Sequence, residues 1–214
     1  MKKSQSNDDG RYTIIVPSCR PTMAAQTLKH LKNIGEDPYF KDGTGYPSFS
    51  KLINDCILEC PTEIVMICND RARPTPEQVQ KQLRLINEGF GYVGLWSFAF
   101  FGFKKELVRK IGFMDEGFVG GNYEDSDYLR RFCEADIAVF TSTEVPYIEI
   151  PSAWDNSKTK AYYDTKWKEG DGYSKRLKPE PTYDYDLGPS TGAQFNKWET
   201  SQLIHQEFVN TKIY

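Results

Sequence analysis

The stretch "GGNYEDSDYLRR" places Glu124, Asp125 and Asp127 within four positions behind Gly120 and Gly121, and follows them with Arg130 and Arg131. A carboxylate at the mouth of a cleft can act as a general base, taking the proton of an attacking hydroxyl. The same residues also suit the start of a helix. Acids in a first turn favour the positive end of the macrodipole, and Asp127 can pair with Arg130 or Arg131 one turn on. The two readings can coexist. On a helix Glu124 and Asp127 share a face at three-residue spacing while Asp125 points elsewhere. Neighbouring acids raise a carboxylate's pKa toward the range useful for a base, and the arginines offset part of that repulsion.

A second group lies in "EIVMICNDRARP", an apolar run ending in Asn69, Asp70 and Arg71. Oxygen atoms there can serve a divalent ion or the hydroxyls of a ribose. "YTIIVPSCRP" ends the same way in Ser18-Cys19-Arg20, and "PYFKDGTG" ends in Asp42 before a glycine turn.

These residues need elements to hold them. The two apolar runs read as buried strands, with "PYFKD" as a short strand between them. "TMAAQTLKHLKNIG" carries Met23, Leu28, Leu31 and Ile34 on a helical period and stops at Gly35; "YPSFSKLINDCILEC" repeats the pattern through Phe49, Leu52, Ile53, Cys56 and Ile57. Thr75-Pro76-Glu77-Gln78 is a capping box with proline at the first helical position, opening "PEQVQKQLRLINEG". "FGYVGLWSFAFFGF" is aromatic and β-prone, "KKELVRKIG" a short helix, "DSDYLRRFCEADIA" a helix, and "IAVFTSTEVPYIEIPSAW" one or two late strands. Alternating strands and helices predict an α/β fold, a three-layer α/β/α sandwich with a mostly parallel, mixed central sheet. Ligands bind outside the carboxyl ends of such strands, where Ser18, Arg20, Asp42, Asn69, Asp70 and Arg71 collect.

Residues 1–10 are polar and are expected to be disordered. Beyond Trp154 the chain turns polar, tyrosine-rich and full of breakers, which reads as an extended C-terminal arm or lid, with a closing helix in "FNKWETSQLIHQEFVNTKIY". The division is a catalytic domain over 11–170 and a C-terminal extension over 171–214, packed on or closing that domain.

With 27 basic and 30 acidic residues the formal charge is −3, so no basic field draws nucleic acid, and the partner is a small molecule or a neutral polymer. Five cysteines, an odd number without paired CxxC spacing, read as reduced core residues of a cytoplasmic protein. With only His30 and His205 to help, a zinc site is not expected, and neither histidine reads as a catalyst. No run approaches the roughly 20 apolar residues of a membrane span, and "MKKSQSNDDGR" has no apolar leader core. Nothing in the sequence selects an oligomeric state.

The order of "TIIVPSCRP", "GYPSFSKLINDCI", "EIVMICNDRARPTPEQV", "GFKKELVRKIGFMDEGFVGGNYEDSDYLRRF" and "YYDTKWKEG", over about residues 12–170, resembles the GT-A glycosyltransferases, and among them the family-2-like inverting enzymes. The resemblance implies a nucleoside diphosphate sugar donor and a glycan or glycoconjugate acceptor. It implies that Ser18, Arg20 and Asp42 hold the donor's base and ribose, that Lys51 approaches the phosphates, and that Asn69 and Asp70 stand at the family's acidic metal motif. It implies Asp125 as general base, Glu124 and Asp127 positioning the acceptor or supporting that base, and Trp96 and Tyr123 contributing to acceptor binding. Lys166-Trp167 would belong to a segment closing over the donor. A divalent cation, Mn²⁺ or Mg²⁺, is implied at Asp70. The chain departs from the family there: Arg71, Ala72 and Arg73 follow where a second aspartate is usual, and "EIPSAWDNSK" lacks the late histidine. Either Asp70 holds the ion mostly through phosphate and water oxygens, or Arg71 and Arg73 replace part of its charge. Two other readings compete. A nucleotidyltransferase would usually carry a glycine-rich loop after the first strand, and "PSCRPTMAA" has no glycine. A non-catalytic nucleotide- or sugar-binding module would tolerate the altered metal motif.

Overall fold

The computed structural model describes residues 11–149 and 157–167. The expectations for residues 1–10, for the extension 171–214 and for its closing helix lie outside these residues.

The elements follow in the order β1 (Tyr12–Ser18), α1 (Pro21–Asn33), β2 (Tyr39–Asp42), α2 (Phe49–Glu59), β3 (Ile64–Cys68), α3 (Pro76–Asn87), β4 (Tyr92–Phe98), β5 (Phe100–Lys104), a 3₁₀ turn leading into α4 (Val108–Ile111), then α5 (Glu124–Glu134), β6 (Val139–Thr141) and α6 (Ser157–Lys166). The strands form one sheet in the order β2-β1-β3-β5-β4-β6. β1 runs parallel to β2 and β3, β4 runs parallel to β6, and β5 is antiparallel to both of its neighbours. The sheet is therefore mixed and mostly parallel.

Helices cover both faces. Ala24 and Leu31 of α1 and Val79, Leu85 and Ile86 of α3 pack with Ile14, Val16 and Met66 on one side. Ile53, Cys56 and Ile57 of α2 and Tyr128, Leu129 and Phe132 of α5 pack with Ile15, Val65, Phe101 and Phe103 on the other. Alternate strand residues thus feed separate apolar layers, as the period of two requires. The capping box forms as read: the Gln78 amide donates to Thr75 Oγ1 at 3.3 Å and the Thr75 amide to Gln78 Oε1 at 2.9 Å.

One element differs from the sequence reading. The β-prone aromatic run forms two strands as the chain reverses tightly at Ser97, whose φ is 40°, and the Ala99 amide returns to the Trp96 carbonyl at 2.7 Å; the difference lies further along the chain. Residues 157–166, read as part of a polar arm, form a helix anchored at its end by Lys166 and Trp167. Of the cysteines, Cys56, Cys60 and Cys68 are buried, whereas Cys19 and Cys133 are exposed; all five are free thiols. Among the described residues no helix is long and apolar enough to cross a membrane.

Candidate functional site

The carboxyl edge of the sheet gathers the loops after β1, β2 and β3, the β4–β5 turn and the loop before α5. Backbone bonds tie them together: Gly43 amide to Ser18 carbonyl at 2.9 Å, Asn69 amide to Ala99 carbonyl at 2.7 Å, and Gly120 amide to Pro47 carbonyl at 3.3 Å.

At the β1 and β3 ends Asp70 is buried and its carboxylate is fully engaged. Ser18 Oγ donates to Oδ2 at 2.5 Å, and Arg20 forms a two-point contact, Nε to Oδ2 at 2.9 Å and Nη2 to Oδ1 at 2.5 Å. Such paired contacts fix orientation as well as charge. The Arg20 side chain remains 41% exposed, so this guanidinium stands between a buried carboxylate and solvent. Asp42 lies beside Ser18 in the β1–β2 register, and its carboxyl is held below the usual range by the Thr44 amide. Asn69 spends Oδ1 on the Arg71 amide at 3.0 Å, shaping the loop.

Two cations of the donor-side reading, Lys51 and Arg73, go elsewhere. Lys51 pairs with Asp55 one turn on, at 2.6 Å, which draws its ammonium along α2. Arg73 donates from Nη1 to Thr27 Oγ1 at 2.6 Å and to the carbonyls of Asp70 and Ala72 at 3.1 and 2.8 Å, so it braces the loop from behind. His30 is bonded to the Pro74 carbonyl at 2.8 Å. Arg71 lies 4.7 Å from the Tyr147 ring centre, and Trp96 stacks on that same ring at 5.2 Å. Trp96 therefore sits with Arg71 and the α1–α3 layer, because residues 142–145 return along β4 through bonds to the Gly94 and Leu95 carbonyls. It is not brought to the carboxylates of α5.

Those carboxylates begin a helix whose entry is strained. Gly120 and Gly121 have φ of 94° and 132°, and Asn122 and Tyr123 follow at 72° and 68°, in the left-handed region that side chains rarely adopt. Backbone outliers of this kind cost about 1–3 kcal/mol each and concentrate at functional sites. Tyr123, the residue before the first helical turn, rests its ring 5.6 Å from Tyr163 of α6. Glu124 Oε1 folds back over Gly121, where a Cβ would lie 3.9 Å away.

The three acids differ sharply. Asp125 is half-buried, and its Oδ1 accepts the Ser126 amide at 2.7 Å; burial raises its pKa and the Ser126 bonds partly offset this. Glu124 is 6% exposed with Oε2 lacking a hydrogen-bond partner among the described residues, and burial, then Asp125 and Asp127, push its pKa up to about 8. Asp127 is 0% exposed. Its Oδ1 takes Trp167 Nε1 at 2.8 Å and Lys166 Nζ at 3.0 Å, and Arg131 Nε lies 3.2 Å from Oδ2. This closed cluster leaves Asp127 no access to an acceptor; its spacing on the helix turns it inward, toward α6.

Lys166 also donates to Asp115 at 2.5 Å, where Tyr162 and the Gly117 amide add bonds at 3.0 and 2.8 Å. Burial pushes the Asp115 carboxyl up, but the bond and charge of Lys166 outweigh it and hold the pKa below the usual range. Lys166 and Trp167 thus clamp α6 to the acid side of the site, on α5 and the Asp115 loop, rather than over the donor strand ends. Asp115 and Lys166 are the functional-side residues missed as a pair from sequence, although "FMDEGF" and "YYDTKW" carried them.

Two solved structures have this arrangement of sheet and helices. The catalytic domain of Drosophila β-1,4-galactosyltransferase 7 with xylobiose superposes with a TM-score of 0.54 at 14% identity, covering 73% of this chain and 81% of that one. A mutant of the same enzyme, in complex with manganese, UDP-Gal and xylobiose, gives 0.53 at 13% identity over 70% of this chain and 78% of that one. The fold is GT-A. No family model and no curated protein matches the sequence.

The GT-A neighbour's manganese makes a metal at Asp70 testable against the residues present. Both Asp70 oxygens are taken by Ser18 and Arg20, Asn69 Oδ1 is spent on a backbone amide, and among the described residues no three His, Cys, Asp or Glu side chains cluster as ligands. This donor set does not fit a protein-built cage for Mn²⁺ or Mg²⁺.

Proposed function

We propose that this chain transfers a sugar from a nucleoside diphosphate sugar to a hydroxyl of a glycan or glycoconjugate, with inversion and with Asp125 as general base. The observation that carries the reading is that the Ser18–Arg20–Asp70 cluster of the strand-end loops and the Glu124–Asp125 carboxyls of the first turn of α5 lie at the same carboxyl edge of a GT-A sheet. A donor held at the strand ends would present its anomeric carbon to an acceptor lying against the first turn of α5. Asp125 takes the acceptor's proton, the acceptor oxygen bonds to the anomeric carbon, and the bond from that carbon to the phosphate oxygen breaks. The electron pair leaves with the nucleoside diphosphate from the opposite face. Ser18, Asp42 and Asn69 serve the base and ribose side. Arg20, fixed by Asp70, and Arg71, held on Tyr147, supply cationic contacts to the leaving diphosphate. Tyr123 lines the acceptor side.

The decisive assay offers UDP-, GDP- and dTDP-sugars and follows nucleoside diphosphate release with and without glycan acceptors. Acceptor-stimulated release supports the proposal. Nucleotide binding without any release makes the chain a binding module, and pyrophosphate release from a nucleoside triphosphate makes it a nucleotidyltransferase.

Two further expectations arise here. Asp70→Ala unseats Arg20 and Ser18 together, so affinity for the nucleotide that binds best should fall about 10- to 100-fold, the effect of one or two charge-assisted hydrogen bonds. Calorimetry with UDP, GDP and dTDP measures it, and equal affinity of mutant and wild type moves the donor site elsewhere. Second, transfer should persist in EDTA and gain little from added Mn²⁺ or Mg²⁺, since on this reading Arg20 and Arg71 supply the charge that a metal otherwise brings. Complete loss in EDTA with recovery on adding Mn²⁺ disproves the arginine assignment.

A further inference from the structure

We propose that Glu124 enters the reaction as a neutral carboxylic acid, its carboxyl O–H donating to an acceptor oxygen beside the hydroxyl that Asp125 deprotonates. This rests on the transferase reading above, but its first test does not. Ionised, Glu124 would be an acceptor-only group, nine-tenths buried and with Oε2 unpartnered among the described residues. Among the described residues the charges that act on Glu124 are those of Asp125 and Asp127, and the nearby cations have other partners. Lys166 of α6 is bound to Asp115 and Asp127, Arg131 is beside Asp127, Arg130 is 3.8 Å from Glu134 and over the Trp167 ring, and Lys51 of α2 is on Asp55. Asp125 and Asp127 act on Glu124 from its own helix, the Tyr92 phenol of β4 lies by Asp125, and the Tyr128 phenol lies between Asp127 and Arg131, the cation that is paired with Asp127. A second buried anion next to Asp125 is disfavoured by desolvation and like charge, whereas a proton on Glu124 removes both penalties.

The consequence is a division of labour. Asp125 stays the anionic base and gains the proton of the attacking hydroxyl. Glu124 transfers no proton; its O–H contributes a directed hydrogen bond that a bound acceptor completes with a lone pair, as from a ring hydroxyl adjacent to the one attacked. An unmade bond at a buried donor is costly, so this contact selects acceptors carrying that neighbouring oxygen.

Protein labelled with ¹³C at the glutamate carboxyls is titrated by NMR without substrate, and Glu124 is assigned by the resonance lost in Glu124→Gln. A midpoint near 8 is expected; a midpoint below about 6, close to the ordinary glutamate range, overturns the proposal. The fold itself provides a second readout. A carboxyl whose native pKa is raised keeps its proton when folded but loses it when unfolded, so wild-type stability to urea should fall as pH rises from about 4.5 to about 8, and Glu124→Gln should make that fall shallower, leaving the part owed to Asp125 and Glu36. An unchanged slope in the Gln variant overturns it. With an active donor and acceptor, wild-type turnover should decline through the same alkaline midpoint, and Glu124→Gln should lack that decline. Glu124→Gln should also turn over at least about tenfold faster than Glu124→Ala, the difference one hydrogen bond makes. Equal losses in both variants with the alkaline decline intact disprove the donor role. A titration near 8 in a protein without transfer leaves Glu124 neutral and removes the transferase reading alone.

Discussion

Asp125→Asn lowers turnover by about 10²- to 10⁴-fold, the usual contribution of a positioned general base, with nucleotide affinity nearly unchanged. The substitution keeps the side chain's size and can keep the Oδ1 bond from the Ser126 amide, so the entry of α5 should survive. What it removes is the lone pair that receives the acceptor's proton. Asp125 is also the acid of the turn that is only partly buried, whereas Glu124 and Asp127 are buried. Because burial raises the Asp125 pKa, wild-type turnover should fall on the acid side as that carboxylate is protonated, and the limb should start above the ordinary aspartate range. Near-normal turnover in Asp125→Asn rejects the base assignment. So does a loss that tracks a lower melting temperature, which would return these acids to helix-start electrostatics.

The largest effect on folding is expected at Asp127. Its carboxylate is shut from solvent and faces Lys166, Arg131 and the Trp167 indole N–H, so Asp127→Ala leaves a buried ammonium and guanidinium without their counter-charge. Removing one partner of a buried ion pair typically costs about 3–5 kcal/mol. Lys166 would keep Asp115, which places this case toward the lower end. Equilibrium urea unfolding measures the cost, and at about 2–4 °C per kcal/mol the melting temperature should drop by roughly 10 °C. The near-ultraviolet signal of Trp167 should change with it, since its N–H loses its acceptor. A stability within about 0.5 kcal/mol of wild type, the range of ordinary surface substitutions, removes the clamp role. Asp125→Asn and Asp127→Ala thus separate chemistry from architecture within two turns of one helix.

Much of this molecule is legible along the chain. β1, β3, α1, α2 and α3 fall where apolar period, proline and capping residues put them, since each depends on neighbours within a few positions. Strand ends collect polar loops for the same local reason, so Ser18, Asp42 and Asp70 could be named as one edge. The three-layer α/β/α arrangement follows from alternating elements that each have an apolar face to cover. Other features required the chain to close on itself. The reversal at Ser97 splits one aromatic run into two strands, and hydrophobicity alone does not distinguish one long strand from two. Arg20 meets Asp70 across 50 positions and Lys166 meets Asp115 across 51, pairings set by where loops come to rest rather than by spacing. The identities Glu124, Asp125 and Asp127 were plain in the sequence, but their characters were not. Desolvation and nearby charge decide whether a carboxyl is a base, a proton holder or half of an ion pair, and both are properties of a packed interior.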